Sequence, residues 1–526
     1  MTSKLARISA AMLVAVVTIA SPVLAQPPQA QKPDPLSEDN LLVWMHSISS
    51  HTLLEYVKEM AAEKYRGRLT GTPEYDAIAD RYARLFAAWT IKPAGDQGTY
   101  LQRFPNPYTL VLPGAELALA VPVQGGVTIR KPYVFEQDFF PGSTSDSGTV
   151  TAEVVYVGYG ATAPELNYDD YAGVDVRGKI VMMEPEVPVT ADRDAELFKK
   201  WRPYSFHDYK VRNAAQHGAA GMIYNYHIAN PNSVFVKGLL LTYVGPSVYN
   251  DIFAGTGKQH DEVVKTIRAT LKPASFSTGK VVTMKNVTEH HPEGIGSNVV
   301  GYLEGTDPAL KSEAIVIGAH LDHLGLNDQL MPGANDNASG AAVLLGVAEA
   351  IARSGIPLKR TVVFVLFGAE EQGVKGSEYY VAHPFVPNER VKACFNLESV
   401  GRGERISAGG GKNYPQLWDV LDRNNRKYIH RQASAGFTAN LARPRQDAAH
   451  FMWAGVPTIS FGTGGAKPVP FATYHTTKDT AEIITPEIME DLARLVYLAT
   501  IEMATKSGVI EKPPISSRSL SAFATL

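Results

Sequence analysis

From Leu41 to Trp89, apolar side chains recur every three or four residues. HTLLEYVKEMAAEKY and EYDAIADRYARLFAAW each carry one apolar face, which predicts two helices. RGRLTGTPEY between them holds the Gly and Pro of a turn, and YLQRFPNPYTLVLP after them reads as extended. The middle of the chain changes period. EVVYVGYG, GKIVMMEPEVP, GMIYNY and LLLTYVGPSVY predict short strands, and VRNAAQHGAAG predicts a helix ending at Gly218 and Gly221. From Ser312 onward, strands and helices alternate. SEAIVIGAH, LKRTVVFVLFGAEE, VKACFNLES and VPTISFG read as strands. ASGAAVLLGVAEAIARSG and ITPEIMEDLARLVYLATIEMATKSG read as helices. This alternation predicts an α/β fold with a mostly parallel central sheet covered by helices. Sites in such sheets form beyond the carboxyl ends of the strands.

The two ends of the chain change this picture. Lys4 and Arg7 precede an apolar stretch from Ile8 to Ala20, and Val23-Leu24-Ala25 offers a cleavage site. The stretch is short for spanning a bilayer, so it predicts a secretory signal cut after Ala25 and a periplasmic or secreted protein. The expected organisation is a signal at 1–25, a Pro- and Gln-rich leader at 26–39, and a first part of the main domain at 40–133. An insert at 134–272, the catalytic part of the main domain at 273–510 and a tail at 511–526 follow. A length of 526 residues accommodates more than one domain, and a net charge of −3 with no basic stripe gives no sign of a nucleic-acid partner. The single cysteine, Cys394, sits in the apolar run VKACFNL and predicts a buried strand residue, not a nucleophile.

The candidate chemistry lies where the predicted strands end. His320 in GAHLDHLG, Asp336 in GANDNASG, Glu371 in FGAEEQG, Glu398 in FNLESVG and His475 in YHTTKDT supply two imidazoles and three carboxylates. That set suits a pair of Zn²⁺ ions, with Asp336 able to bridge them. Glu370, directly before Glu371, is the candidate general base. Asp322 shares a strand face with His320 and would orient its ring, whereas strand alternation turns His323 away. Asp479 is a candidate partner for His475. Tyr474 is a candidate donor to an oxyanion, and Asp447 a candidate supporting carboxylate. G-x-S-x-G and H-E-x-x-H motifs are absent from the sequence.

Taken together, these frames resemble the zinc aminopeptidases of metallopeptidase family twenty-eight. That family includes bacterial leucyl aminopeptidases, aminopeptidase S and glutamate carboxypeptidase II. GSNVVGYLEGTDP before IVIGAHLDHLG, and RGRLTGTPEYDAIADRY before PAGDQGTYLQRF, carry the likeness outside the ligand frames. YAGVDVRGKIVMMEPEVP with VRNAAQHGAAGMIYNY resembles an inserted protease-associated domain. The resemblance implies a three-layer α/β/α phosphorylase/hydrolase-like domain with a β-rich insert. It also implies two Zn²⁺ per chain on His320, Asp336, Glu371, Glu398 and His475, with Glu370 as base. Two departures stand out: Glu398 replaces the aspartate of many relatives, and QDAAHF replaces a Ser-Asp-His arrangement.

The implied reaction removes N-terminal residues from peptides. Two zinc ions acidify a bridging water, Glu370 takes its proton, and Tyr474 helps hold the oxyanion. A carboxypeptidase or dipeptidase of the same fold would instead need a cationic clamp, for which Arg402, Arg405 and Arg443 are candidates. A non-catalytic, receptor-like binding protein would have lost ligands, whereas here every ligand position keeps a usable side chain.

Overall fold

The computed structural model describes residues 34–123, 125–231, 234–438, 445–465 and 473–508. The signal expected at 1–25, most of the leader, the tail at 511–526 and Arg443 lie outside the described residues.

The early helices form where the periodicity places them, at Ser50–Met60 and Pro73–Ala88. The second is capped by Thr72, whose side chain accepts the Tyr75 N–H, and Pro73 opens its first turn. Together with Ser339–Arg353 and Pro486–Thr505 they cover one face of the main sheet. Tyr82, Phe86, Leu344, Phe364, Leu492 and Val496 meet there in one large core. On the other face, Lys375–Ala382 and Ala448–Trp453 bring Tyr380 and Phe451 against Val316, Val365 and Phe367. The arrangement is the three-layer α/β/α sandwich.

The sheet between these layers runs, in spatial order, Lys92–Pro93, Ile295–Leu303, Thr361–Phe367, Ala314–His320, Val391–Leu397, Thr458–Gly464, Arg405–Gly409 and Ala433–Gly436. Its centre, from Thr361–Phe367 to Thr458–Gly464, is parallel, whereas both flanks contain antiparallel pairs. AIVIGAH and TVVFVLF are buried at every position, as strands covered on both faces must be. His320 pairs with Phe367, so these two strands end level with each other.

The insert builds its own eight-stranded sheet. Its order is Thr128–Pro132, Glu116–Pro122, Phe276–Asn286, Gly148–Tyr156, Ile180–Met183, Gly221–Tyr224, Leu240–Val244 and Phe139–Pro141. This sheet reaches outside the expected 134–272 span. The long strand Phe276–Asn286 pairs with both Glu116–Pro122 and Gly148–Tyr156, a contact no local pattern announces. LLLTYVGPSVY also divides: Leu240–Val244 is a strand, and Pro246 opens the helix Pro246–Phe253. A small sheet of Thr288–His291, Tyr108–Val111, Leu326–Asn327 and Gln329–Leu330 stitches the chain around the insert to the loop that follows His320. Among the described residues, no helix is long and apolar enough to cross a membrane.

Cys394 is fully buried in the parallel centre of the sheet, and burial pushes its thiol well above the usual range. A disulfide reagent added to native protein should therefore label it only through unfolding, at the rate at which the sheet opens. Labelling of the folded protein as fast as a free thiol would contradict its place in the core.

Candidate metal centre

The sheet brings the candidate residues to one edge. His320 is the last residue of its strand, and Glu398 directly follows Val391–Leu397. Glu370 and Glu371 follow Thr361–Phe367 after a turn in which Ala369 has φ +53°. Asp336 lies in the segment Ala334–Ala338 that leads into Ser339–Arg353, and His475 (φ +55°) in the turn before Asp479.

Two groups of ligating atoms share Asp336. In the first, His320 Nε2 stands 3.3 Å from Asp336 Oδ1 and 3.2 Å from Glu398 Oε1. In the second, His475 Nε2 stands 3.2 Å from Asp336 Oδ2 and 3.0 Å from Glu371 Oε2. Each Asp336 oxygen thus faces a different imidazole. Glu398, one methylene longer than aspartate, reaches His320 from its strand end.

His323 differs from the sequence expectation. It does not turn away: its Nδ1 lies 2.7 Å from Glu371 Oε1, and with Asp336 and Glu371 it forms a group able to hold a cation. The strand stops at His320, so two-residue alternation no longer governs residue 323. The second H of HLDH was its only signal. The partner expected for His475 also differs. Its Nδ1 lies 2.7 Å from the carbonyl of Ala229, in the insert. Asp479 instead accepts the backbone N–H groups of Asn335 and Asp336, at 2.8 and 2.9 Å.

Backbone anchors hold these loops in register. The side chain of Asn337 donates to Leu397 O and accepts the N–H of Ser399. Asn335 Oδ1 and Ser339 Oγ accept from Gly401 and Val400, so the NDNAS segment grips the turn that carries Glu398. Asp322 stands 3.6 Å from His320 Nδ1 and accepts the N–H groups of Glu370 and Glu371 at 3.2 and 3.3 Å. It therefore positions both a ligand ring and the two adjacent glutamates. Gly333 is required at its φ of +61°, because a Cβ there would lie 2.3 Å from the His323 ring. Arg68, fully buried, donates to the carbonyls of Met60, Leu321, Pro332 and Gly333. The sequence places it only in a turn; nothing in RGRLTG shows that it reaches under both metal-side loops.

The electrostatics call for cations. Burial would raise Asp336, but contacts with His320 and His475 outweigh it and hold the carboxyl well below its usual range. Burial likewise opposes ionisation of Glu371, yet the charges of His475 and His323 bring it to about 2. Both His320 and His475 are raised well above an ordinary histidine, the carboxylates around them overcoming desolvation. Desolvation with Glu398, Glu371 and Asp447 nearby pushes Glu370 well above the usual carboxylate range. Asp336 Oδ2, Glu371 Oε1, Glu398 Oε2 and His475 Nε2 are buried and, among the described residues, make no hydrogen bond of regular geometry, although imidazoles stand within ion-pair distance of the first two. Buried polar atoms are normally satisfied, and these four converge from oxygen and imidazole nitrogen donors, so the set fits zinc.

The remaining candidates fall around this core. Tyr474 stacks on His475 at 3.8 Å and stays 38% exposed. Desolvation and the field of Asp336, Glu371 and Glu370 hold its hydroxyl well above the usual pKa, so it remains a donor. Asp447 is fully buried and raised to about 7 by desolvation, with Glu398 and Asp322 adding to the shift. Arg402 donates to Thr473 Oγ1 at 2.8 Å, and Arg405 is exposed.

Known proteins resemble the chain in two stretches of sequence and in fold. Residues 298–500 match peptidase family M28, and residues 150–243 match the PA domain. An aminopeptidase of Pseudomonas aeruginosa is 28% identical over 372 residues, covering 69% of this chain and 59% of its own length. The chain thus spans about three-fifths of that relative. Aminopeptidase YwaD of Bacillus subtilis is 29% identical over 224 residues, 40% of this chain and 45% of its own. Among solved structures, an aminopeptidase from Aneurinibacillus sp. strain AM-1 superposes with a TM-score of 0.63 at 22% identity, covering 90% of this chain and 98% of that one. A zinc aminopeptidase from Bacillus subtilis gives 0.59 at 20% identity, covering 88% and 96%. These structural likenesses bear on the fold.

Histidines held protonated by the carboxylates must lose those protons to ligate. Zinc binding should therefore release protons and weaken as pH falls. Calorimetry in two buffers of different ionisation enthalpy reads this directly. Binding without proton release would contradict the charge balance described. Asp336→Ala should remove both groups at once and leave the protein with little or no tightly held zinc.

Proposed function

From the match of residues 298–500 to peptidase family M28, and from the shared position of Asp336, we propose that the chain is a dinuclear zinc aminopeptidase. The carrying observation is that the two Asp336 oxygens face different histidines, each with its own glutamate. Two zinc ions held there would acidify a water and polarise the scissile carbonyl. Glu370, raised by burial and its acidic neighbours, accepts that proton at its carboxylate and passes it to the leaving amine. Tyr474 donates to the developing oxyanion. Asp322 fixes the Glu370 backbone and the His320 ring while the proton moves. A leader of the kind read in residues 1–25 would place the enzyme in the periplasm or outside the cell.

The surroundings favour a free amine over a terminal carboxylate. Glu398, Glu370 and Asp447 crowd one side of the centre, whereas the Arg402 guanidinium is turned to Thr473. Beside Glu398 opens a cavity of about 350 Å³ whose walls include Phe437, Ala448, Ala449, Met452 and Phe461, together with Arg445, Gln446 and Ser460. It suits an apolar N-terminal side chain, with the amine beside the carboxylates.

Leucyl and phenylalanyl nitroanilides should be cleaved, and their N-acetyl forms should not. Cleavage of blocked substrates would move the assignment to the carboxypeptidase branch. Glu370→Gln should keep its zinc and lose about 10²–10⁴-fold in kcat, the usual worth of a general base. Wild-type turnover in that variant would refute the role.

A further inference from the structure

We propose that the inserted domain completes the second metal group, with Glu136 and the Ala229 carbonyl acting as positioning groups for His475. The inference rests on the dinuclear reading above.

The two histidines are oriented in different ways. His320 turns its Nδ1 toward Asp322, two residues along its own chain, at 3.2 Å from the carbonyl and 3.6 Å from the carboxylate. His475 finds its Nδ1 partner in the insert, at Ala229 O, 2.7 Å away. A peptide carbonyl only accepts, so Nδ1 of His475 must carry the hydrogen. That leaves Nε2, which faces Asp336 and Glu371, as the nitrogen that would give up its proton and turn a lone pair to a metal. Ala229 is fully buried, and its neighbour Asn230 is held through its carbonyl by Ser143 Oγ at 2.9 Å.

Glu136 holds the same turn from below. Its Oε2 accepts the Thr477 N–H at 3.0 Å and the Thr477 hydroxyl at 2.5 Å, and its Oε1 pairs with Lys478 at 2.9 Å. Desolvation opposes the charge on Glu136, but these contacts prevail and lower its pKa. Both carboxylate oxygens are therefore committed to the stretch just beyond His475. The first metal group draws His320, Asp336 and Glu398 from the main domain alone, whereas the second depends on two insert contacts to set one of its ligands.

The test uses the full chain, with zinc affinities measured by competition against a chromophoric chelator. In Glu136→Ala and Thr477→Val, one zinc should bind as in wild type and the other roughly 10–100-fold more weakly, the range for lost outer-shell partners. Excess zinc should restore kcat, which a general packing defect would not allow. Glu136→Gln, still an acceptor for Thr477, should fall between. If Glu136→Ala does not fold, Thr477→Val and Ser143→Ala carry the same comparison. Two zincs held as tightly in these variants as in wild type would overturn the proposal. A wild-type chain that binds no zinc would overturn the dinuclear reading itself, and the inference with it.

Discussion

Carboxylates concentrated in a desolvated place set the terms for the rest of this structure. Asp322, Asp336, Glu371, Asp447 and Asp479 are all buried, and Glu370 and Glu398 lie among them. Two like charges 4 Å apart cost about 4 kcal/mol at an effective dielectric of 20. A domain's whole stability is only about 5–15 kcal/mol, so a few such pairs left ionised and uncompensated would consume it. The structure answers in three ways. Glu370 and Asp447 shift toward their neutral forms. His320 and His475 shift toward their charged forms. The unsatisfied oxygens and nitrogen converge where divalent cations would supply the remaining charge.

A site that strained electrostatically cannot rely on side-chain contacts alone to hold its loops. The anchoring is done largely through backbone groups. Asp479 takes the N–H groups of Asn335 and Asp336, Asp322 those of Glu370 and Glu371, and Asn337 that of Ser399. A carboxylate that accepts backbone N–H groups gains stabilisation without needing a cation of its own. Arg68 is the complement: its guanidinium is spent on carbonyl oxygens, and its charge still acts on Asp322, Asp479 and Asp336. The helices before the insert share the core of the main sheet. They deliver one buried cation beneath the metal-side loops.

How far the sequence could be read follows from which signals are local. Strand ends and the βα rhythm are local, so the α/β/α layers and the edge at which His320, Glu371 and Glu398 meet were legible. Asp336 and His475 were legible as residue types in motif frames, and the structure brings them to the same edge. Strand alternation does not reach His323, because the strand ends at His320. The partner of His475 is a backbone carbonyl 246 positions away, which leaves no trace in side-chain chemistry. The sheet of the insert extends past 134–272 for a related reason: Phe276–Asn286 joins it through pairing across the fold.

The contrast between the two histidines gives the molecule an internal order of dependence. Everything around His320 comes from the main domain: its strand, the carbonyl and carboxylate of Asp322, and a glutamate at the end of the neighbouring parallel strand. That half of the centre can exist once the central strands have paired. His475 stands in a left-handed conformation on a turn with little regular structure of its own, a backbone state that persists only where its surroundings over-determine it. Those surroundings are Asp479 gripping the Asp336 loop on one side and Ala229 with Glu136 on the other. The insert is therefore built into the centre by hydrogen bonds, and displacing it from the 473–479 turn would loosen His475 first.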